Sequence, residues 1–319
     1  MHVLVTGCCG FIGSHLSEKL LAEGYQVTGI DNFDPFYNKE IKLRHLEILK
    51  QYPAFNFFET DLRQAGFSDV LSNQNFDAVI HLAAKVGVQP SVNAAQEYLD
   101  ANISATTHLL DFIARQGIKK MLFASSSSVY GNNNSVPFTE TDEVSKPISP
   151  YAATKRACEL LNYTYHHLYQ IDIINLRLFT VYGPRQRPDL AIHKFVKKIS
   201  AQQPIQLYGN GSTARDYTFV ADIVAGFSAA LQYLLANKNV FETVNLGGSS
   251  PVQLKELVQI IADETKTEPV IEWLPLQPGD VNATYANTTK AEKLFGYKPA
   301  TDIRTGMAQF VKWYREQNF

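Results

Sequence analysis

Short apolar runs alternate with stretches of helical periodicity along much of this chain. His2–Thr6 reads as a short buried strand, and Phe11–Ala22 has apolar residues at helical spacing. Further runs predict strands at 26–30, 56–59, Ala78–His81, 120–124 and 173–177, with helices at 102–115 and Pro150–Tyr169. That order predicts an α/β fold, a doubly wound parallel sheet covered on both faces, with sites at the strands' carboxyl ends. Past Thr180 the texture changes to longer loops rich in Gly and Pro, as in Gly183-Pro184, Gly209-Asn210-Gly211, Gly247-Gly248 and residues 275–279. A smaller α/β substrate-binding part is expected over 180–319, with a segment of about 215–248 returning to the main sheet.

Composition sets compatible bounds. The 319 residues can bury a substantial core, and 45% hydrophobic with 19% charged residues fits a soluble globular enzyme. A net charge of −2, with no basic run, argues against nucleic-acid binding. A strand beginning at residue 2 leaves no room for a signal peptide, and no apolar run has membrane-spanning length. Cys8, Cys9 and Cys158 match neither zinc-ligand spacing nor a disulfide framework, so no metal and a reducing cytoplasm are expected.

Chemistry enters at the first strand–helix junction. Gly7, Gly10 and Gly13 are spaced three apart, with Phe11 and Ile12 opening the helix. The first glycine permits a tight turn, the second lets backbone approach a pyrophosphate, and the third lets helix pack on strand. The helix amino terminus then offers free N–H groups and a favourable dipole to phosphates. The second strand ends in Asp31-Asn32, where a carboxylate can accept from the adenosine ribose hydroxyls. Asp31 would repel a 2′-phosphate, which favours NAD over NADP. Residues 1–179 are therefore expected to form a Rossmann-type NAD-binding domain.

A second constellation lies at Ser125-Ser126-Ser127-Ser128-Val129-Tyr130-Gly131 and Tyr151-Ala152-Ala153-Thr154-Lys155. A tyrosine and a lysine four apart on one helical face let a phenol serve as a base, because the cation favours phenolate. Hydroxyls at a strand end can grip the substrate hydroxyl being deprotonated. Together these residues point to hydride chemistry at a secondary alcohol.

In these segments, and in His81-Leu82-Ala83-Ala84, Asp61-Leu62, Asn102 and residues 209–222, the chain resembles the extended short-chain dehydrogenases/reductases of the nucleotide-sugar epimerase and dehydratase group. The resemblance implies that Asp61 and Leu62 flank the adenine, and that Leu82, Ala83, Ala84, Asn102, Ser125 and Phe179 line the cofactor. It implies Tyr151 as base, Lys155 on the nicotinamide ribose, and Ser126 and Ser128 on the sugar O4. Arg215 and Asp216 resemble the segment that holds the nucleotide diphosphate and ribose, and Asp280 lies in a late segment on the same side.

The dehydratases resemble one another in a Thr-Asp-Glu triplet before Val-Tyr-Gly, and the decarboxylases in a Glu; Ser127-Ser128 offers no carboxylate here. Epimerisation at C4 is left. Phe179-Thr180-Val181-Tyr182-Gly183-Pro184-Arg185-Gln186-Arg187-Pro188-Asp189 resembles the uronate-specific epimerases, which act on UDP-glucuronate. Arg187 with Thr180 is the expected carboxylate clamp, with Arg185 beside it; the alternative is that both arginines stiffen a proline-bounded loop. Gln89 stands where many uronate epimerases carry arginine, so a neutral or N-acetylated UDP-sugar stays open as substrate. A non-catalytic NAD sensor is the distant alternative. The helices at 102–115 and Pro150–Tyr169 resemble those of the group's homodimer interface.

Overall fold

The structure, a computed structural model, describes residues 1–133, 136–275 and 283–317. In chain order its strands are β1 (His2–Thr6), β2 (Gln26–Asp31), β3 (Phe55–Glu59), β4 (Ala78–His81), β5 (Lys120–Ser126), β6 (Asp172–Leu178), β7 (Thr180–Tyr182), β8 (Ile205–Tyr208), β9 (Ala214–Phe219), β10 (Phe241–Leu246), β11 (Pro251–Gln253), β12 (Ile271–Leu274) and β13 (Ala283–Thr284). Seven of them form one sheet in the order β10-β6-β5-β4-β1-β2-β3. Every neighbouring pair is parallel. The direction of winding reverses at β1, which lies between β2 and β4, so a crevice opens outside their carboxyl ends.

Strand side chains alternate between faces, and here both faces are covered. In β1, Val3 and Val5 enter the core beneath the helices Phe11–Ala22 and Val220–Ala236, while Leu4 enters the core beneath Ala105–Arg115. This double burial is why the strands read as apolar runs rather than as alternating patterns.

The helix carrying Tyr151 spans Pro150–Tyr169, as its pattern predicts; the Ser149 hydroxyl caps it by accepting from Ala152 N at 3.1 Å, and Pro150 occupies the first turn. The helix predicted from 102 begins differently. A π-helical turn at Leu99–Ser104 precedes the α-helix Ala105–Arg115. Such a turn spends an extra residue per loop of the ladder and re-aims the side chains it carries, Asn102 among them.

Past Thr180 the chain builds a second layer. β9 pairs with β7, β11 and β13, and β8 pairs with β12. They pack around a core that includes Ile192, Val196, Leu257, Ile261, Met307 and Phe310. Within the segment 215–248, β9 belongs to this smaller layer, whereas the helix Val220–Ala236 packs on the main core and β10 joins the large sheet beside β6. Among the described residues, no helix is long and apolar enough to cross a membrane.

Candidate active site

The glycine loop follows directly from β1. Gly7 has φ +71° and donates its N–H to the Ile30 carbonyl at 2.8 Å. A Cβ on Gly7 would lie 2.9 Å from Ala83 N, and one on Gly13 only 2.1 Å from the Gly7 oxygen. Those two glycines are demanded by the chain's own packing. Gly10 is different: a Cβ there would meet only the Gly7 oxygen, at 3.1 Å. Its remaining side faces open cleft at a helix amino terminus, the space a dinucleotide pyrophosphate requires. Cys8 and Cys9 are fully buried, and the Cys8 sulfur fills the hollow over Gly29.

At the end of β2, Asp31 is nearly buried. Its carboxylate accepts from Cys9 N at 3.1 Å and Phe33 N at 2.9 Å, and Lys42 Nζ lies 3.9 Å away. Burial raises its pKa against the pull of Lys42. Lys42, which no motif announced, also lines the cleft and donates to the Asp34 carbonyl at 3.0 Å. Asn32 donates to Asp61 at 3.0 Å, and Arg63 grips the same carboxylate through Nε and Nη2. Against the opposing effect of burial, these bonds hold Asp61 at about 2. Leu62 adjoins it on the cleft wall.

The wall of Leu82, Ala83 and Ala84 is set from behind. The Thr6 hydroxyl accepts from Leu82 N at 3.2 Å and Ala83 N at 3.1 Å. His81 meets the hydroxyls of Thr6 and Thr106 at 2.7 and 3.0 Å, and burial together with the Lys155 charge lowers its pKa to about 3. Asn102 stands behind this wall rather than on it. Its amide accepts from Lys85 N at 2.7 Å and donates to the Lys85 carbonyl and the Thr154 hydroxyl at 3.0 and 2.9 Å. With those bonds made, Asn102 shapes the loop that faces the cofactor space.

β5 ends in the serine run. Ser126 Oγ accepts from Ser128 N at 3.1 Å and donates to Ser128 Oγ at 3.0 Å, capping the 3-10 turn Ser127–Tyr130. Ser125 turns the other way, donating at 2.6 Å to Glu159 on the helix of Tyr151. Burial pushes the Tyr151 phenol up, while a hydrogen bond with Ser126 and the charge of Arg187 pull it down. Lys155 donates instead to the Ala124 carbonyl at 2.8 Å, and its burial lowers it to about 8. Arg187 thus adds its charge to the pair that the Tyr–Lys spacing points to.

A cleft of about 490 Å³ joins the glycine loop, Asp31, Asn32, Asp61, the loop Leu82–Ala84, the serines, Tyr151, Lys155, Phe179, Thr180 and Arg187. Phe36 and Tyr37 also line it, and the Arg187 guanidinium lies 5.6 Å from the Phe36 ring centroid. Arg185 faces elsewhere, pairing with Glu18 at 2.8 Å. Arg215 is not on the cleft wall; one of its nitrogens donates to the Ala214 carbonyl at 2.9 Å. Asp216 is fully buried and accepts from Gly248 N, Ser249 N and Ala286 N at 2.6, 3.0 and 2.9 Å, which fastens three chain segments together. Asp280 lies outside the described residues.

A family model described as GDP-mannose 4,6 dehydratase matches residues 4–310. A UDP-glucuronate 4-epimerase from Thermodesulfobacterium geofontis is 40% identical over 317 residues, covering 99% of this chain and 96% of that protein. Among solved structures, UDP-glucuronic acid 4-epimerase from Bacillus cereus, in complex with UDP-glucuronic acid and NAD, superposes with a TM-score of 0.93 at 33% identity, over 99% of this chain and 100% of that one. The UDP-glucose 4-epimerase of Thermotoga maritima with UDP-glucose gives 0.89 at 29% identity, over all of both chains.

Proposed function

We propose that this chain, which belongs to the GDP-mannose 4,6 dehydratase family, is an NAD-dependent epimerase inverting C4 of a UDP-uronate, UDP-glucuronate to UDP-galacturonate. The observation that carries this reading is one cleft in which a buried tyrosine, a pair of serine hydroxyls and an arginine adjoin a dinucleotide cradle. The serines at 127–128 supply no carboxyl proton shuttle, so the dehydration chemistry in the family's name has no acid–base pair there. Relatives at 40% and 33% identity carry the matching activity in their names.

The glycine loop, Asp31, Asn32, Asp61 and the wall Leu82–Ala84 would hold NAD, with Lys155 toward the nicotinamide ribose. When bound there, NAD would supply the reversible hydride chemistry that inversion at C4 requires. Tyr151 takes the O4 proton and later gives it back, with Ser126 relaying hydrogen bonds between phenol and sugar. Ser128 keeps the Ser126 hydroxyl oriented. Arg187, with Thr180 beside it, holds the C6 carboxylate, and a carboxylate held out of line with a neighbouring carbonyl is protected from loss as CO2. Residues 1–179 serve the cofactor and 180–319 the UDP-sugar, apart from the elements that rejoin the large sheet.

A second reading, epimerisation of a neutral UDP-hexose, draws support from the Thermotoga maritima structure and from Gln89. The chain is expected to act as a cytoplasmic homodimer supplying a polysaccharide precursor. The deciding experiment incubates the enzyme with UDP-glucuronate, UDP-glucose and their N-acetylated counterparts and resolves products by NMR. UDP-galacturonate without net NADH supports the proposal. Turnover of neutral sugars alone overturns the carboxylate assignment, and no turnover despite NAD binding favours a sensor.

A further inference from the structure

Arg187 reaches the cleft already paired. Its Nε donates to Asp189 Oδ1 and its Nη2 to Oδ2, both at 2.9 Å, while its Cζ lies over the Phe36 ring, 5.6 Å from the centroid. A guanidinium carries five N–H donors in a rigid fork. One carboxylate on the Nε–Nη2 edge leaves the Nη1–Nη2 edge for a second planar partner. The side chains of Arg187 and Asp189 are 15% and 31% exposed, so water screens their charges only partly. Sequence enforces the pairing: Asp189 follows Arg187 across a single proline, in a turn closed by Leu190 N to the Arg187 carbonyl at 3.3 Å.

We propose that Asp189 is a specificity-determining positioning residue that holds the inner edge of the Arg187 fork and offsets its charge, leaving the outer edge to a sugar carboxylate. The inference rests on Arg187 being that carboxylate's partner. An epimerase differs from a simple binder in one demand: the sugar must turn between its two hydride transfers. A lone, largely buried guanidinium would grip an anionic sugar through that turn. A resident counter-charge weakens the grip while keeping its direction.

The test uses the full chain loaded with NAD in a Tyr151→Phe background, which stops turnover. Dissociation constants for UDP-glucuronate and UDP-glucose are measured by calorimetry, and their ratio is the readout. Asp189→Asn removes the charge and keeps an acceptor, so preference for the acidic sugar rises about tenfold. Asp189→Glu extends the carboxylate by one methylene toward the outer edge, where it competes with the sugar, and the preference falls. Opposite shifts support the proposal. Equal changes for both sugars, or shifts in one direction, overturn it. Should Asp189→Asn not fold, Asp189→Glu decides alone: a reduced preference supports the idea and an unchanged one sinks it. With Tyr151 restored, Asp189→Asn is expected to lower both KM and kcat for UDP-glucuronate. If the unsubstituted enzyme shows no acidic preference, or Arg187→Ala leaves that preference intact, the carboxylate assignment itself has failed, and this is visible before any Asp189 variant is made.

Discussion

The Lys155 ammonium donates to the Ala124 carbonyl at 2.8 Å, one helical turn from Tyr151 on the same helix. The lysine is thereby anchored to the end of β5, immediately before the serine run. Burial lowers it to about 8 from an ordinary value of 10.5. NAD binding is accordingly expected to weaken as pH rises through about 8, where the ammonium that would meet the nicotinamide ribose is lost. Stability moves the opposite way. Between about 8 and 10.5 the unfolded chain binds the extra proton, so the penalty of burying the charge, present below that window, is relieved as pH rises. Calorimetric NAD titrations from pH 7 to 10 check this, and Lys155→Met should bind weakly with no inflection.

Tyr151→Phe deletes the phenol that Ser126 bonds and leaves the glycine loop untouched. Epimerisation is expected to fall by about a thousandfold or more, while NAD affinity changes little. Product NMR together with an NAD titration reads both. Full residual activity would remove Tyr151 as the base.

Arg187→Ala removes this guanidinium from the cleft and leaves Asp189 without its partner. For UDP-glucuronate, kcat/KM is expected to drop at least a hundredfold, with a UDP-pentose side product from decarboxylation, while UDP-glucose binding is spared. Chromatography of the reaction mixture measures the pentose fraction. Unchanged rates with no pentose would take Arg187 out of the clamp.

Glu159 is buried beneath the site and accepts from Arg177 Nε and Nη2 at 2.9 Å each, from Ser125 at 2.6 Å and from Arg156 at 3.0 Å. Burial favours its protonation, but the Arg177 bonds prevail and its pKa is lowered. Its stabilising contribution is present above the ordinary carboxylate range and is lost as pH falls through the lowered native value. Glu159→Gln leaves Arg177 buried beside a neutral partner, and a loss of about 3–5 kcal/mol is expected in urea unfolding at pH 7. A loss below 1 kcal/mol, about the worth of an exposed pair, would show that the network is not a stability element.

Much of the sheet was legible because its strands are buried on both faces, so Val3-Leu4-Val5 announces itself without help from distant residues. The Gly7, Gly10 and Gly13 spacing and the helix at Pro150–Tyr169 were legible for the same local reason. What escaped was set by partners far along the chain. The π-helical turn that aims Asn102 at Lys85 keeps the apolar rhythm of an ordinary helix. Asp216, read as a substrate residue beside Arg215, binds Gly248, Ser249 and Ala286, whose proximity no motif records. Lys42 belongs to no motif, since its meeting with Asp31 depends on how a helix packs against β2. The Arg187–Asp189 pair was the exception: two residues apart, it could have been read as a fork and its carboxylate.

Strand β10 lies beside β6 from Phe241 opposite Ile173 to Leu246 opposite Leu178, after the chain has already laid down β7, β8 and β9 elsewhere. The polypeptide thus enters the smaller layer, returns to complete the edge of the large sheet, and leaves again. Cutting after β6 would strip that strand of a neighbour and expose a row of backbone groups now bonded. No single cut in the chain therefore separates the two layers, so neither exists as one continuous segment.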